Sequence, residues 1–188
     1  GGVLADRTEG ELFRAIRYGF GKDALLGMMS SLPYRELSDD DTHAVIAFLR
    51  SQEPVTTATN GGDDINLIAV ILFYSEALFP LPENNDGVIT APPQGVTAEY
   101  GKYVATFGEC RGCHGTDMTG TAATAISPAI PNPRVLVGAI TLEQFIQTMR
   151  TGVLPYGTAL ADLMPWENAS RMTDDDLAAL YVYLTTVP

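Results

Sequence analysis

The sequence contains little cysteine and histidine. Its 188 residues include two of each: the thiols are Cys110 and Cys113, and the imidazoles are His43 and His114. Two thiols can form at most one disulfide, so the chain is not a disulfide-rich scaffold. A structural zinc site needs four ligands, and His43 lies far along the chain from the other three. The hydrophobic content of 46% is nevertheless enough for a packed core.

Basic residues are also scarce. Lysine and arginine number 11 against 23 aspartates and glutamates, which gives a net charge of −12. An anionic surface disfavours nucleic acids and anionic membranes as partners and favours a basic docking partner. The same surface also aids solubility, so the charge alone identifies no partner.

The sequence lacks an apolar run long enough to cross a membrane. The longest such stretch, from Ile65 to Phe79, has 15 residues and includes a glutamate, whereas a spanning helix needs about 20. The chain therefore has no predicted membrane span of its own. It opens with two glycines and shows no signal-peptide pattern, as expected of a mature or trimmed product.

Both thiols and one imidazole occur together in "GECRGCHGTDM", residues 108–118. A redox-active C-x-x-C pair would belong to a thioredoxin-like βαβ unit, and no such pattern surrounds this one. The pattern C-x-x-C-H is instead the attachment signature of c-type haem, in which two thioethers tether the porphyrin and the histidine ligates the iron. The sequence therefore predicts one covalently bound haem c.

A buried haem iron usually takes a sixth ligand, and methionine serves in many cytochromes c. Four methionines follow the motif. Met118 is too close to the attachment turn, Met149 has the spacing of a core residue in a helix, and Met172 precedes a helix cap. Met164 lies in the proline-containing loop "LADLMPWENAS", which can present a thioether sideways, so it is the predicted ligand.

This part of the chain, residues 96–188, resembles the class I c-type cytochromes. The resemblance rests on C-x-x-C-H followed about fifty residues later by the methionine loop and a final helix. It implies that Cys110 and Cys113 bind haem, that His114 is the proximal ligand and that Met164 is the distal ligand.

The resemblance also implies an all-α fold in which the first and last helices of the domain cross. Three helices are predicted, with Thr97, Thr141 and Thr173 as their N-caps. Gly101 is available for a close helix contact. Pro131 is the predicted carbonyl acceptor for the proximal imidazole. Trp166, Arg134 and Tyr156 are further haem-pocket candidates.

The chain repeats part of itself. "LSDDDTHAVIAFLRSQEP" near the start matches "MTDDDLAALYVYLTTVP" at the end, and "GELFRAIRYG" matches "LEQFIQTMRTG". Met29 lies ten residues before Asp39, as Met164 lies ten before Asp174. Residues 1–54 therefore resemble the rear half of a second cytochrome c domain whose C-x-x-C-H half is absent from this chain. Met29 would be a ligand of a second haem if that half exists; otherwise the half-domain is a haem-less remnant.

Residues 55–95 are the predicted linker between the half-domain and the haem domain at 96–188. Their ends are rich in turn-forming residues, and the middle is the apolar run from Ile65 to Phe79. A helix that is apolar nearly all round must be buried. Wedging between the two halves is favoured over docking on a membrane subunit, because so short a chain has little other core to join them.

The predicted function is single-electron transfer through a His/Met haem c, in an electron-transfer protein rather than an enzyme. The expected partners are redox proteins, such as other cytochromes or subunits of a respiratory or photosynthetic membrane complex. The resemblance implies a periplasmic or outer-face location. The alternatives are a free periplasmic carrier, and a haem peroxidase or haem-based sensor with a labile sixth ligand.

Overall fold

The computed structural model describes residues 4–21, 33–55, 57, 87–124 and 127–186. Met29 and the apolar run from Ile65 to Phe79 lie outside these ranges. The chain divides into two compact units, Gly1–Thr90 and Ala91–Pro188. The described residues form helices with isolated bridges and no strands, which confirms the all-α prediction. No helix among them is long and apolar enough to span a membrane.

The first unit contains α1 (Glu9–Tyr18), a 3₁₀ turn (Pro33–Glu36) and α2 (Asp39–Ser51). Thr8 and Glu11 form a capping box at the start of α1, and Gly19 ends it in the left-handed conformation, with φ of 67°. α1 and α2 pack together through a small core to which Leu12 and Ile46 contribute.

An ion pair joins the end of α1 to the start of α2. Arg17 Nη1 lies 2.5 Å from Asp39 Oδ1, and the arginine is only 2% exposed. The Asp39 carboxylate also accepts a hydrogen bond from the backbone N–H of Ile89 at 3.2 Å, while the Asp39 N–H donates to the Ile89 carbonyl. Asp39, at the start of α2, therefore contacts both the end of α1 and the segment that contains Ile89.

These contacts predict that the first unit loses stability in acid. The Ile89 N–H, and then the Arg17 guanidinium, lower the pKa of the Asp39 carboxyl below its ordinary value of 3.8. A lowered folded-state pKa adds stability that is present above the unfolded pKa and is lost as pH falls through the folded pKa. In Asp39→Asn, the free energy of unfolding of the first unit should therefore depend less steeply on pH below about pH 4. Hydrogen exchange in α1 and α2 measures this dependence. Asp40→Asn, at the exposed neighbouring position, is the control and should keep the wild-type slope.

The second unit contains six helices in the described residues. They are α3 (Ala98–Phe107), α4 (Cys110–His114), α5 (Pro133–Val137), α6 (Leu142–Thr151), α7 (Trp166–Ala169) and α8 (Asp174–Thr186). The predicted N-caps of α3 and α6, Thr97 and Thr141, are confirmed. Thr173 likewise accepts the Asp176 N–H at 3.1 Å at the start of α8.

The core of the second unit lies where α3 and α8 cross. Val104 of α3 and Leu177 and Ala179 of α8 have no exposed surface, and burying a side chain the size of leucine contributes roughly 1.5–3 kcal/mol. Gly101 permits the close approach: a Cβ there would lie 2.8 Å from Tyr183 Cβ and would collide with the Ala179 carbonyl. The predicted close contact at Gly101 is therefore confirmed.

The two units share local features as well as sequence. α1 and α6 both begin with a capping box and end at a left-handed glycine, Gly19 and Gly152. The ion pair recurs too, since Arg150 Nη2 lies 2.6 Å from Asp174 Oδ1 as Arg17 pairs with Asp39. Helix caps and long-range ion pairs thus lie at matching positions of the two repeated segments.

Candidate functional site

The C-x-x-C-H motif folds into the short helix α4. The helix begins at Cys110, and Cys113 and His114 follow it by three and four residues. That spacing places the three side chains on one face of a helix. Glu109 precedes the helix in the left-handed conformation, with φ of 60°, and Gly115 ends it with φ of 84°. Both sulfurs and the imidazole therefore lie on the same side of one tight turn.

The two cysteines differ in exposure. Cys110 is half-buried against the hydrophobic core, and Cys113 is exposed. Burial raises the pKa of the Cys110 thiol to about 11, so this thiol is protonated at neutral pH. A protonated thiol is a poor nucleophile and a poor metal ligand, so Cys110 is poorly suited to act as a free thiolate.

A backbone carbonyl fixes the imidazole of His114. Its Nδ1 lies 2.9 Å from the carbonyl oxygen of Pro131, the proline predicted from the sequence. A carbonyl can only accept a hydrogen bond, so Nδ1 carries a proton, and in the neutral ring the lone pair is then on Nε2. That tautomer is the one a ligating histidine needs, and an anchored second nitrogen sets the ring orientation.

Gly120 holds the Pro131 loop in place, a role that the sequence prediction missed. Its N–H donates to the His114 carbonyl at 2.8 Å, and a Cβ on it would lie 2.7 Å from the Ile130 carbonyl oxygen. Its φ of 87° also favours glycine. Thr121 and Ile130 pair as an antiparallel bridge beside it. In the sequence, the sign of this role would have been the glycine that stands six residues after His114.

Met164 lies in the loop between α6 and α7 and is half-buried against the core. Local hydrogen bonds shape its turn: its N–H donates to the Ala161 carbonyl, and its carbonyl accepts from the Trp166 N–H, each at 2.8 Å. Met118 and Met149 are core residues, 2% and 4% exposed. The Met172 methyl group packs at Gly108, close to Cys110.

Arg150 fastens the far end of the Met164 loop. It extends from the last turn of α6, pairs with Asp174 at the start of α8 and donates to the Ser170 carbonyl. Arg150, just before the loop, therefore contacts two residues that follow it, Ser170 and Asp174. Ser170 and Asp174 lie 20 and 24 positions after Arg150. The helix patterns in the sequence did not predict contacts over that separation.

The remaining haem-pocket candidates occupy different environments. The Trp166 ring packs on Gly152, where a Cβ would come within 2.7 Å of the indole nitrogen. The Arg134 side chain donates to the carbonyls of Asp117, Tyr183 and Leu184, so it caps the end of α8. Tyr156 is 66% exposed in a turn. Met29, the candidate ligand of a second haem, lies outside the described residues.

The residues present fit a c-type haem. Two thiols and an imidazole share one face of α4, the imidazole is fixed as the ligating tautomer, and a half-buried thioether is available from a separate loop. Comparison with known proteins agrees: residues 97–184 match the family described as cytochrome c oxidase, cbb3-type, subunit III.

Residues 97–184 form a cytochrome c domain. The chain is 31% identical over 121 residues to the cytochrome c subunit of a quinone-dependent alcohol dehydrogenase from Gluconacetobacter polyoxogenes, covering 58% of this chain and 26% of that subunit. It is 32% identical over 98 residues to the fructose dehydrogenase cytochrome subunit of Gluconobacter japonicus, covering 46% and 20%. The gluconate 2-dehydrogenase cytochrome c subunit of Pantoea cypripedii is 30% identical over 94 residues, covering 44% and 21%.

The cytochrome c domain is thus homologous to cytochrome subunits of dehydrogenases. The matched part is about a quarter or less of each of these three relatives. For residues 97–184 the prediction of a cytochrome c domain is confirmed, and the tandem arrangement stays a prediction.

Proposed function

We propose that this chain carries single electrons through one haem c, which Cys110 and Cys113 would hold covalently and whose iron His114 and Met164 would ligate. The observation that carries the proposal is the α4 turn with its imidazole Nδ1 bound to the Pro131 carbonyl at 2.9 Å. Bound haem would supply an iron that changes oxidation state by one electron.

The chain's own residues would keep that iron six-coordinate. The Pro131 carbonyl holds His114 in one tautomer, and Gly120 keeps the carbonyl close. Arg150 fastens the loop that carries Met164. A filled sixth position leaves no open site for substrate, which favours an electron carrier over a peroxidase or a gas sensor.

The context we propose is a subunit of a dehydrogenase complex at the periplasmic or outer face of the membrane. The relatives are named as cytochrome subunits of alcohol, fructose and gluconate dehydrogenases, and this favours a complex over a free carrier. Redox subunits of that complex would be the partners.

We also propose that residues 1–54 are the rear half of a second cytochrome c domain, joined to the domain at 96–188 by residues 55–95. The capping boxes, left-handed glycines and Arg–Asp ion pairs shared by the two units support this. In that arrangement Met29 would take the place that Met164 takes in the second unit.

Covalent attachment is tested by extraction. Acidified acetone should leave the haem on the protein, and alkaline pyridine should give a c-type spectrum, because two thioethers hold the porphyrin. Cys110→Ala should convert it to a single-thioether spectrum and lower the haem content. Haem that extracts freely, or stoichiometric zinc in its place, would contradict the proposal.

Carbon monoxide and cyanide separate a carrier from a peroxidase or sensor. The native protein should bind neither readily, because Met164 occupies the sixth position. Rapid binding of either ligand to the native protein would favour the peroxidase or sensor instead.

A further inference from the structure

The segment that carries Met164 is held at both ends by one glycine, Gly152. At the start of the segment, the Leu160 N–H donates to the Gly152 carbonyl at 2.7 Å. At its end, the Trp166 ring packs on the Gly152 backbone: a Cβ there would collide with the ring atom Cε2 and would lie 2.7 Å from Cδ2 and from Nε1. We call Gly152, Leu160 and Trp166 the Gly152 clamp. Met164 lies between the two residues that contact the glycine.

Two independent features require glycine at the centre of the clamp. Gly152 ends α6 with φ of 69°, a conformation that strains any residue with a Cβ. Gly152 is also buried, and the indole ring occupies the space that a Cβ would need. Gly157, in the same loop, shares only the first feature: its φ is 87°, but a Cβ on it would meet nothing within 4 Å. The contact with the ring therefore distinguishes Gly152 from a glycine that only turns the chain.

The segment between the two ends of the clamp has little other packing. Residues 161–163 and Pro165 are exposed, and only Met164 is half-buried. The Met164 carbonyl accepts the Trp166 N–H at 2.8 Å, so the methionine backbone is tied directly to the residue whose ring is anchored. A segment with few buried contacts opens locally at low cost. The position of Met164 therefore depends on how firmly the clamp holds the ends of its segment.

We infer that the Gly152 clamp positions the sixth ligand: the Trp166 ring, packed on Gly152, holds the Met164 thioether at the iron and limits its release. This inference rests on the proposed function, in which Met164 ligates the haem iron. Trp166 acts through the backbone of Met164 and is therefore a positioning residue rather than a ligand. Weakening the clamp should make the sixth position easier to open without removing the methionine.

Displacement of Met164 by imidazole tests this inference in the oxidised, haem-loaded chain. Imidazole binds the iron only in molecules from which the methionine has left, so the concentration needed falls as that fraction rises. Titration should remove the weak near-infrared band of methionine-to-iron charge transfer. For Trp166→Ala, the midpoint concentration of imidazole should fall by about tenfold or more. Trp166→Phe should recover most of that difference, because a phenyl ring can still pack on Gly152.

A matched pair of glycines tests the contact itself. Gly152→Ala and Gly157→Ala both place a Cβ on a left-handed residue, but only the first Cβ meets the indole ring. Gly152→Ala should lower the imidazole midpoint by about tenfold, and Gly157→Ala by about twofold at most. In the Trp166→Ala background, Gly152→Ala should have no larger effect than Gly157→Ala, because the ring that it would collide with is gone.

Met172→Ala separates positioning from general loss of stability. Its side chain packs at Gly108, away from the clamp, so this variant should lower Tm and leave the imidazole midpoint within about twofold of wild type. Wild-type midpoints in both Trp166→Ala and Gly152→Ala would overturn the inference, and so would a Met172→Ala midpoint that falls as far as theirs. A wild-type protein without the near-infrared band would instead contradict Met164 as the ligand, which is a failure of the proposed function and removes the inference with it.

Discussion

Replacing Met164 with alanine should abolish the weak near-infrared band that arises from methionine-to-iron charge transfer in the oxidised protein. The loop between α6 and α7 would lose its thioether, and water or an added ligand could bind the iron in its place. The reduction potential should fall by a sizeable part of the roughly 0.8 V that axial ligands span in haem proteins. Optical spectra and a redox titration measure both effects.

Met172→Ala is the matched control for that experiment. Met172 is also half-buried, but its methyl group packs at Gly108 near Cys110. Its loss should lower the free energy of unfolding by about 2 kcal/mol, as expected for methionine truncation in a packed region, and leave the band in place. If Met172→Ala removed the band and Met164→Ala preserved it, the ligand assignment would be wrong.

Gly101→Leu should have the largest effect on folding in the second unit. The added side chain meets backbone of α8, which cannot rotate aside as a side chain could, and a Cβ alone would lie 2.5 Å from the Ala179 carbonyl carbon. Overpacking costs typically 1–3 kcal/mol and occasionally more. We expect about 3 kcal/mol or more here, a fall in Tm of roughly 12 °C or more for a unit of this size.

Thermal unfolding followed by far-ultraviolet circular dichroism measures the effect. Gly95→Ala is the control, because a Cβ at Gly95 meets nothing within 4 Å and that substitution should leave Tm within about 2 °C. An unchanged Tm for Gly101→Leu would show that α3 and α8 can separate without loss of stability, and would contradict the close crossing.

The sequence predicted the features that depend on neighbouring residues. The spacing of Cys110, Cys113 and His114 places them on one helical face whatever surrounds them. Thr97 and Thr141 cap helices because a side-chain oxygen three residues before a free N–H can reach it. Gly152 ends α6 because glycine adopts the left-handed conformation without strain. Such local patterns predict individual helices, and the resemblance to the class I c-type cytochromes implied the all-α fold.

Contacts between distant residues required the tertiary structure. The Arg150 contacts to Ser170 and Asp174 depend on where the Met164 loop returns. Asp39 belongs to an acidic run that the sequence presents as a charged helix start, yet it pairs with a buried arginine 22 residues away. Gly120 matters only because the Pro131 loop lies against it.

The helices α2 and α8 show most directly that a sequence does not determine which side chains are buried. Their sequences align residue by residue, and both carry three aspartates in the first turn followed by an apolar stripe. The sequence by itself determined that the two segments repeat each other and that Thr173 caps the second. Only the tertiary structure decided that Tyr183 is 3% exposed and Phe48 63% exposed. The physical reason is that burial depends on the element packed against a helix, here α3 at Gly101, and a helix's own sequence does not specify whether that element is present.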